Sequence, residues 1–117
     1  MSAIEGLVDQ WLDWAAAADE LGVPASRVRQ LVKDHQLAAV APEAGGAARV
    51  PAALLMDGEI VKGVSGVLTV LHDGGYDDIE ALSWLFTADD TLPGRPIDAL
   101  RENRGSEVKR RAQAMAF

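Results

Sequence analysis

The 117-residue sequence contains no cysteine, which excludes disulfide scaffolds, cysteine-based zinc sites and cysteine nucleophiles. It lacks any uninterrupted apolar stretch near the roughly 18 residues that span a bilayer. Basic residues are missing from its start: Ser2–Asp13 holds Glu5, Asp9 and Asp13 but no lysine or arginine, so no secretory leader is expected. No repeat, low-complexity segment or long flexible linker interrupts the chain. What is present is 49% hydrophobic residues, enough for a core in one compact domain, expected to be soluble, cytoplasmic and free of membrane partners.

The net charge is −7, but it is unevenly spread. Residues 1–22 carry acids only, and residues 52–100 are strongly acidic. Between them, Arg27, Arg29, Lys33 and Arg49 outnumber Asp34 and Glu43. The tail is basic again, with Arg101, Arg104, Lys109, Arg110 and Arg111 against Glu102 and Glu107. Surface potential is local beyond about 8–10 Å in physiological salt, so these two basic segments guide binding better than the total.

Hydrophobic spacing places most elements. Trp11–Trp14 reads equally as a helix end or a strand. Ala15–Leu21 is alanine-rich and stops at Gly22, a residue suited to the left-handed cap. After Pro24, Ala25–Asp34 reads as a second helix, with Val28, Leu31 and Val32 on one face. Ser26, Gln30 and Lys33 point the opposite way, flanked by Arg27 and Arg29. Leu37–Ala41 and Ala47–Val50 surround Pro42-Glu43-Ala44-Gly45-Gly46 and predict a β-hairpin with Arg49 on its return strand.

Pro51 opens a second half expected to be mostly helical. Val64, Val67, Leu68 and Leu71 form a helical stripe over Gly63–Asp73, ended by Gly74-Gly75. Asp77 or Asp78 caps a helix near Ile79–Phe86 whose apolar face is Ile79, Leu82, Leu85 and Phe86. Thr91–Pro96 reads as a loop. Ile97–Leu100 and Glu107–Phe117 read as helices separated by Gly105-Ser106, the last docking through Ala112, Met115 and Phe117.

A short helix, a glycine turn, a second helix with a polar outer face and a small hairpin make a winged helix-turn-helix. The expected fold is mainly α: a winged helix-turn-helix over residues 1–51 and a helical subdomain over 52–117 packed on it. A helix fits the major groove of double-stranded DNA and presents side chains to base edges. Gln30 suits adenine, while Arg29 and Lys33 suit guanine or phosphate; Ser26 stands near the helix start, where phosphate is favoured. Arg27 and Arg49 would meet phosphates, with Lys109, Arg110 and Arg111 as additional phosphate contacts. Periodicity alone gives equal weight to a plain solvated helix face. The tail stripe is equally well explained as cations favoured near a helix C-terminus.

Trp14–Asp34 looks like the first two helices of excisionase-like and MerR-like DNA-binding domains. More specifically, Leu68-Thr-Val-Leu-His-Asp-Gly-Gly-Tyr76, Trp84-Leu-Phe-Thr87, Arg95-Pro-Ile-Asp-Ala-Leu100 and Val108-Lys-Arg-Arg-Ala-Gln-Ala-Met-Ala-Phe117 resemble a small actinobacterial family of winged-helix DNA-binding proteins. With the helix-turn-helix the resemblance covers about residues 12–117. It implies sequence-dependent or architectural DNA binding by helix 25–34 and the wing; a role in transcription regulation and a cytoplasmic, nucleoid-associated location are the expectations. The family's mycobacterial member is a substrate of a membrane Ser/Thr protein kinase, so such a kinase is an implied partner. Its phosphoacceptor threonine lies before the first helix, where this sequence has Ser2 and no threonine. A phosphate there would add about −1.5 to −2 charge and repel the DNA backbone.

A looser resemblance links Trp84-Leu, Leu92–Leu100 and Gly105–Val108 to the toxin-binding C-terminal domain of Xre/ParS-type antitoxins. It implies another protein as partner of the second half, and a protein-interaction module as the alternative function. No pattern supports an enzyme or a cofactor. His72-Asp73 lacks the further ligands of a metal site, since the other histidine, His35, belongs to the helix-turn-helix; no metal is expected. Asp77-Asp78 and Asp89-Asp90 lack calcium-loop spacing and read as caps or loop charges. Trp11, Trp14 and Trp84 fit packing better than base stacking.

Overall fold

The computed structural model describes residues 8–41, 46–88 and 94–116. Strand β1 (Trp11–Leu12) runs directly into helix α1 (Trp14–Leu21). Asp13 makes that switch: its backbone is extended, and its carboxylate accepts the Ala16 N–H at 2.7 Å. Gly22 then ends α1 at φ 67°; no atom lies within 4 Å of the place a Cβ would take, so the dihedral rather than space selects glycine. Helix α2 (Ala25–Lys33) starts after Pro24, and Asp34 caps its end. Val28 and Leu31 are buried and Val32 half-buried, as their spacing predicts.

The predicted hairpin is present as one antiparallel bridge between Val40 and Arg49, whose two hydrogen bonds measure 3.0 and 2.8 Å. Its turn residues 42–45 lie outside the described residues. The return segment continues as β2 (Val50–Pro51) and pairs with β1, Leu12 opposite Val50 and Trp11 opposite Pro51. The wing therefore fastens the chain before α1 to the chain after α2.

The largest departure from expectation follows Pro51. Instead of a helix, a 3-10 turn (Ala52–Leu54) leads into β3 (Leu55–Met56) and β4 (Glu59–Ile60), an antiparallel hairpin. Its turn residues Asp57 and Gly58 sit at φ 55° and 78°. Two left-handed residues match the right-handed twist of the strands, which is why Asp-Gly suits this turn.

The described residues beyond this hairpin form four helices: α3 (Val64–Asp73), α4 (Asp78–Leu85), α5 (Pro96–Arg101) and α6 (Gly105–Ala116). Asp77 is the α4 cap, accepting the Glu80 N–H at 2.8 Å, while Glu80 Oε1 accepts the Asp77 N–H at 3.1 Å. Two boundaries and two faces differ from the sequence reading. Pro96 belongs to the first turn of α5, where its missing N–H costs nothing. Gly105 and Ser106 begin α6, and the break before it falls at Asn103, φ 65°. Ile79 is 51% exposed and Met115 45% exposed, so neither docks on the core; Ala81 takes the buried place on α4, and Phe117 lies outside the described residues.

One buried cluster runs through both halves. Val64, Val67, Leu68 and Leu71 of α3 share this cluster with Val28, Leu37 and Val50 from the first half and Leu82, Leu85, Ile97, Leu100 and Val108 from the second. Helix α6 packs chiefly on α3. Gly63, at φ 95°, lets the start of α3 approach α5, because a Cβ there would stand 2.8 Å from Leu100 Cδ2. Arg101 of α5 donates to the carbonyls of Ala53 (2.8 Å) and Leu55 (3.0 Å), tying α5 to the chain leading into β3.

Arg95 and Asp98 pair through two hydrogen bonds of 3.0 Å, and the Arg95 N–H also donates to Asp98 Oδ2 at 3.2 Å. The Arg95 hydrogen bond holds the Asp98 carboxyl below the usual aspartate range, against the opposing effect of partial burial. Because the folded pKa is lowered, the pair's stabilisation is complete above the ordinary value of about 3.9 and fades as pH falls through the folded value.

Two outcomes follow for stability. Leu68→Ala, at a fully buried position, should cost about 2–5 kcal/mol in denaturant unfolding. Asp98→Asn should cost on the order of 1 kcal/mol at neutral pH, a figure discounted for the 38% exposure of Asp98. That difference should begin to shrink in thermal melts taken below the ordinary aspartate pKa and vanish below the lower folded value, where the wild-type carboxyl is itself protonated.

Candidate nucleic-acid interface

The outer face of α2 is built by the same periodicity that buries Val28 and Leu31. Ser26, Arg27, Arg29, Gln30 and Lys33 are all exposed on it. Pro24 supplies no side-chain cap and the first turn has no acidic residue, so the protein does not neutralise the positive end of the helix dipole. Lys33, in the last turn, sits where a cation is favoured by the opposite end.

Two of these side chains have partners already. The Arg29 guanidinium lies 5.6 Å from the ring centroid of Trp14, the first residue of α1. Such a cation–π contact is worth about 0.5–1 kcal/mol at an exposed site and narrows the arginine's range before any ligand arrives. Gln30 Nε2 donates to Asp34 Oδ1 at 3.1 Å. That exposed bond must open before the amide can pair bidentately with an adenine edge.

Arg49 is exposed on the wing, and both of its backbone groups are used by Val40. On α6, Val108 and Ala112 face the core while Lys109, Arg110 and Arg111 are exposed. Lys109 lines a shallow groove of about 510 Å³ with Gln36, Ser65, Gly66, Thr69 and Val70. The fold thus brings Lys109 to the side where the chain leaves α2; Arg110 and Arg111 are not part of that groove.

Sequence reasoning misses two contributors here. Asp34 stands four residues after Gln30, a spacing that brings side chains together on any helix, so this pair is legible in the chain itself. Trp14 beneath Arg29 is not, because the contact depends on how α1 and α2 pack. A third grouping joins His35, which lies just beyond α2, to His72 and Asp78; one potential ligand atom from each lies within 4.8 Å of the others.

The described residues contain no helix long and apolar enough to cross a membrane. Since the Arg29 and Lys33 side chains are exposed, Arg29→Ala with Lys33→Ala should shift unfolding free energy by no more than about 1 kcal/mol. Circular-dichroism melts of the double variant check this.

Comparison with known proteins gives matches over nearly the whole chain. Residues 7–55 match the family model described as "DNA-binding protein Rv2175c, wHTH domain", and residues 61–116 match that described as "Rv2175c C-terminal domain of unknown function". A Mycobacterium tuberculosis (strain ATCC 25618 / H37Rv) protein named DNA-binding protein Rv2175c is 42% identical over 117 aligned residues, spanning 90% of this chain and 80% of its own. The NMR structure of Rv2175c superimposes with a TM-score of 0.84 at 40% identity, covering 92% of this chain and 82% of that one.

Proposed function

The chain belongs to the Rv2175c family of winged helix-turn-helix proteins, and from that premise we propose that it binds double-stranded DNA by laying α2 in the major groove. The carrying observation is the exposed face of α2, where Arg27, Arg29, Gln30, Lys33 and Ser26 stand together, the helix itself holding no acid and Asp34 lying at its end against Gln30. Arg29 and Gln30 are the base readers, because they project from the helix middle and have planar groups that pair bidentately with guanine and adenine edges. Ser26 and Arg27 at the helix start, Lys33 at its end and Arg49 on the wing take phosphates. Lys109 extends that track from the side, with Arg110 and Arg111 beside it on α6. Sequence-dependent binding of this kind makes transcription regulation the role in the cell.

The overall charge of −7 does not oppose this reading, since the acidic residues lie mostly outside α2. A basic face on an acidic body attracts DNA locally and repels it elsewhere, which orients the approach.

Fluorescence anisotropy of a labelled duplex at two salt concentrations tests the proposal. The logarithm of affinity should fall with log salt by about 0.9 per phosphate contacted. Arg29→Ala with Lys33→Ala should weaken binding by at least about 10-fold. Arg110→Ala with Arg111→Ala should lower the salt slope by up to about 2 without changing sequence preference. Equal affinity in the first double variant would overturn the assignment of α2. Absence of binding at low salt would turn attention to a protein partner of the acidic second half.

A further inference from the structure

We propose that His35, His72 and Asp78 form a binding site for a divalent transition-metal ion, suited to Zn²⁺, that clamps the end of α2 to α3 and α4. These are the only two histidines of the chain, and the fold brings them together from opposite halves. His35 follows α2 at φ 59°, and His72 lies in the last turn of α3. Their rings stack with centroids 3.9 Å apart and 28° between planes. Asp78 opens α4 and places Oδ1 2.8 Å from His72 Nε2. The side chains of His72 and Asp78 are 15% and 25% exposed, so water reaches them from one side.

Two imidazole nitrogens and one carboxylate oxygen, with a fourth position open to water, are the donor set of three-ligand zinc sites. The same set is poor for calcium or magnesium, which need more oxygen ligands than the single carboxylate here. Around a tetrahedral ion with bonds of about 2.0–2.1 Å, ligand atoms stand about 3.4 Å apart. The His72–Asp78 pair therefore has to open by about 0.6 Å and the wider pairs have to close by at most about 1.4 Å, starting from 2.8 Å and from separations within 4.8 Å. Because the stacked rings are 28° from parallel and their lone pairs lie in the ring planes, the exposed His35 ring also has to turn about its side-chain bonds to aim a nitrogen at the ion. The three residues open on a groove of about 550 Å³ shared with Gly75, Tyr76 and Asp77, which gives room for the water ligand. Asp77 itself is committed to the Glu80 N–H at the α4 cap, leaving Asp78 as the ligand.

The proton balance is simple. In the metal-free chain Asp78 Oδ1 accepts from His72 Nε2–H. On binding, Nε2 gives up its proton to solvent and its freed lone pair goes to the ion, Nδ1 carries the proton of the neutral ring, and the carboxylate turns from acceptor to ligand. The clamp does not depend on DNA binding: it would hold even if α2 contacted no nucleic acid.

Tag-free full-length protein titrated with Zn²⁺ by calorimetry, and with Co²⁺ by visible absorption, tests the site at neutral pH. The expected result is saturable binding of one ion per chain and Co²⁺ bands of tetrahedral intensity. A rise in Tm of roughly 10 °C at a hundredfold excess of Zn²⁺ over Kd should accompany it. His35→Asn, which tolerates the left-handed backbone, and Asp78→Asn, which keeps the side-chain shape, should each weaken Zn²⁺ binding at least about 10-fold. His35 is exposed, so its variant should keep the metal-free Tm and decides the matter if Asp78→Asn folds poorly. Absence of saturable binding, or binding at unchanged affinity in His35→Asn, overturns the proposal.

Discussion

Covering the apolar stripe of α3 is the constraint around which the other elements are arranged. Val64, Val67, Leu68 and Leu71 are at most 1% exposed, and burial of branched aliphatic side chains like these is worth roughly 1.5–3 kcal/mol each. Neither half covers them alone. The first contributes Val28, Leu37 and Val50; the second contributes Leu82, Leu85, Ile97, Leu100 and Val108. Close approach at the start of α3 needs Gly63, where a side chain would collide with Leu100. Helix α2 packs chiefly on α1, and its buried Val28 and Leu31 join the same cluster, which turns the polar face outward.

No polar or charged residue is buried among the described residues, so the core is held by shape and the charges work at its margins. Arg101 reaches two carbonyls before and within β3, and Arg95 with Asp98 secures the start of α5. The remaining charge is sorted by face. Basic groups gather on α2 and α6, and acids predominate elsewhere. Because screening confines their influence to about 8–10 Å, a protein of net charge −7 can still present a positive helix.

Much of this is legible in the order of the residues. A cap at Asp77 or Asp78, the stop at Gly22, the buried stripe of α3 and the exposed face of α2 follow from spacing and turn chemistry, which are local. The failures are equally physical. The β3–β4 hairpin has strands of two residues each, too short for alternation to register, and only Asp57-Gly58 marks it. Spacing turns Ile79 inward because periodicity offers several phases for a short apolar helix. The observed phase is set by Ala81, whose small side chain carries little signal, together with Leu82 and Leu85.

The sequence by itself therefore determined where most of the helices lie, the stop at Gly22 and the identity of the polar side chains on α2, since each depends on residues within about one turn. Tertiary structure alone decided which distant groups meet. Arg29 lies over Trp14, Lys109 lines a groove with Gln36, and His35 stacks on His72. Those meetings depend on the angles at which helices cross, and the angles depend on how every buried side chain fills the shared core.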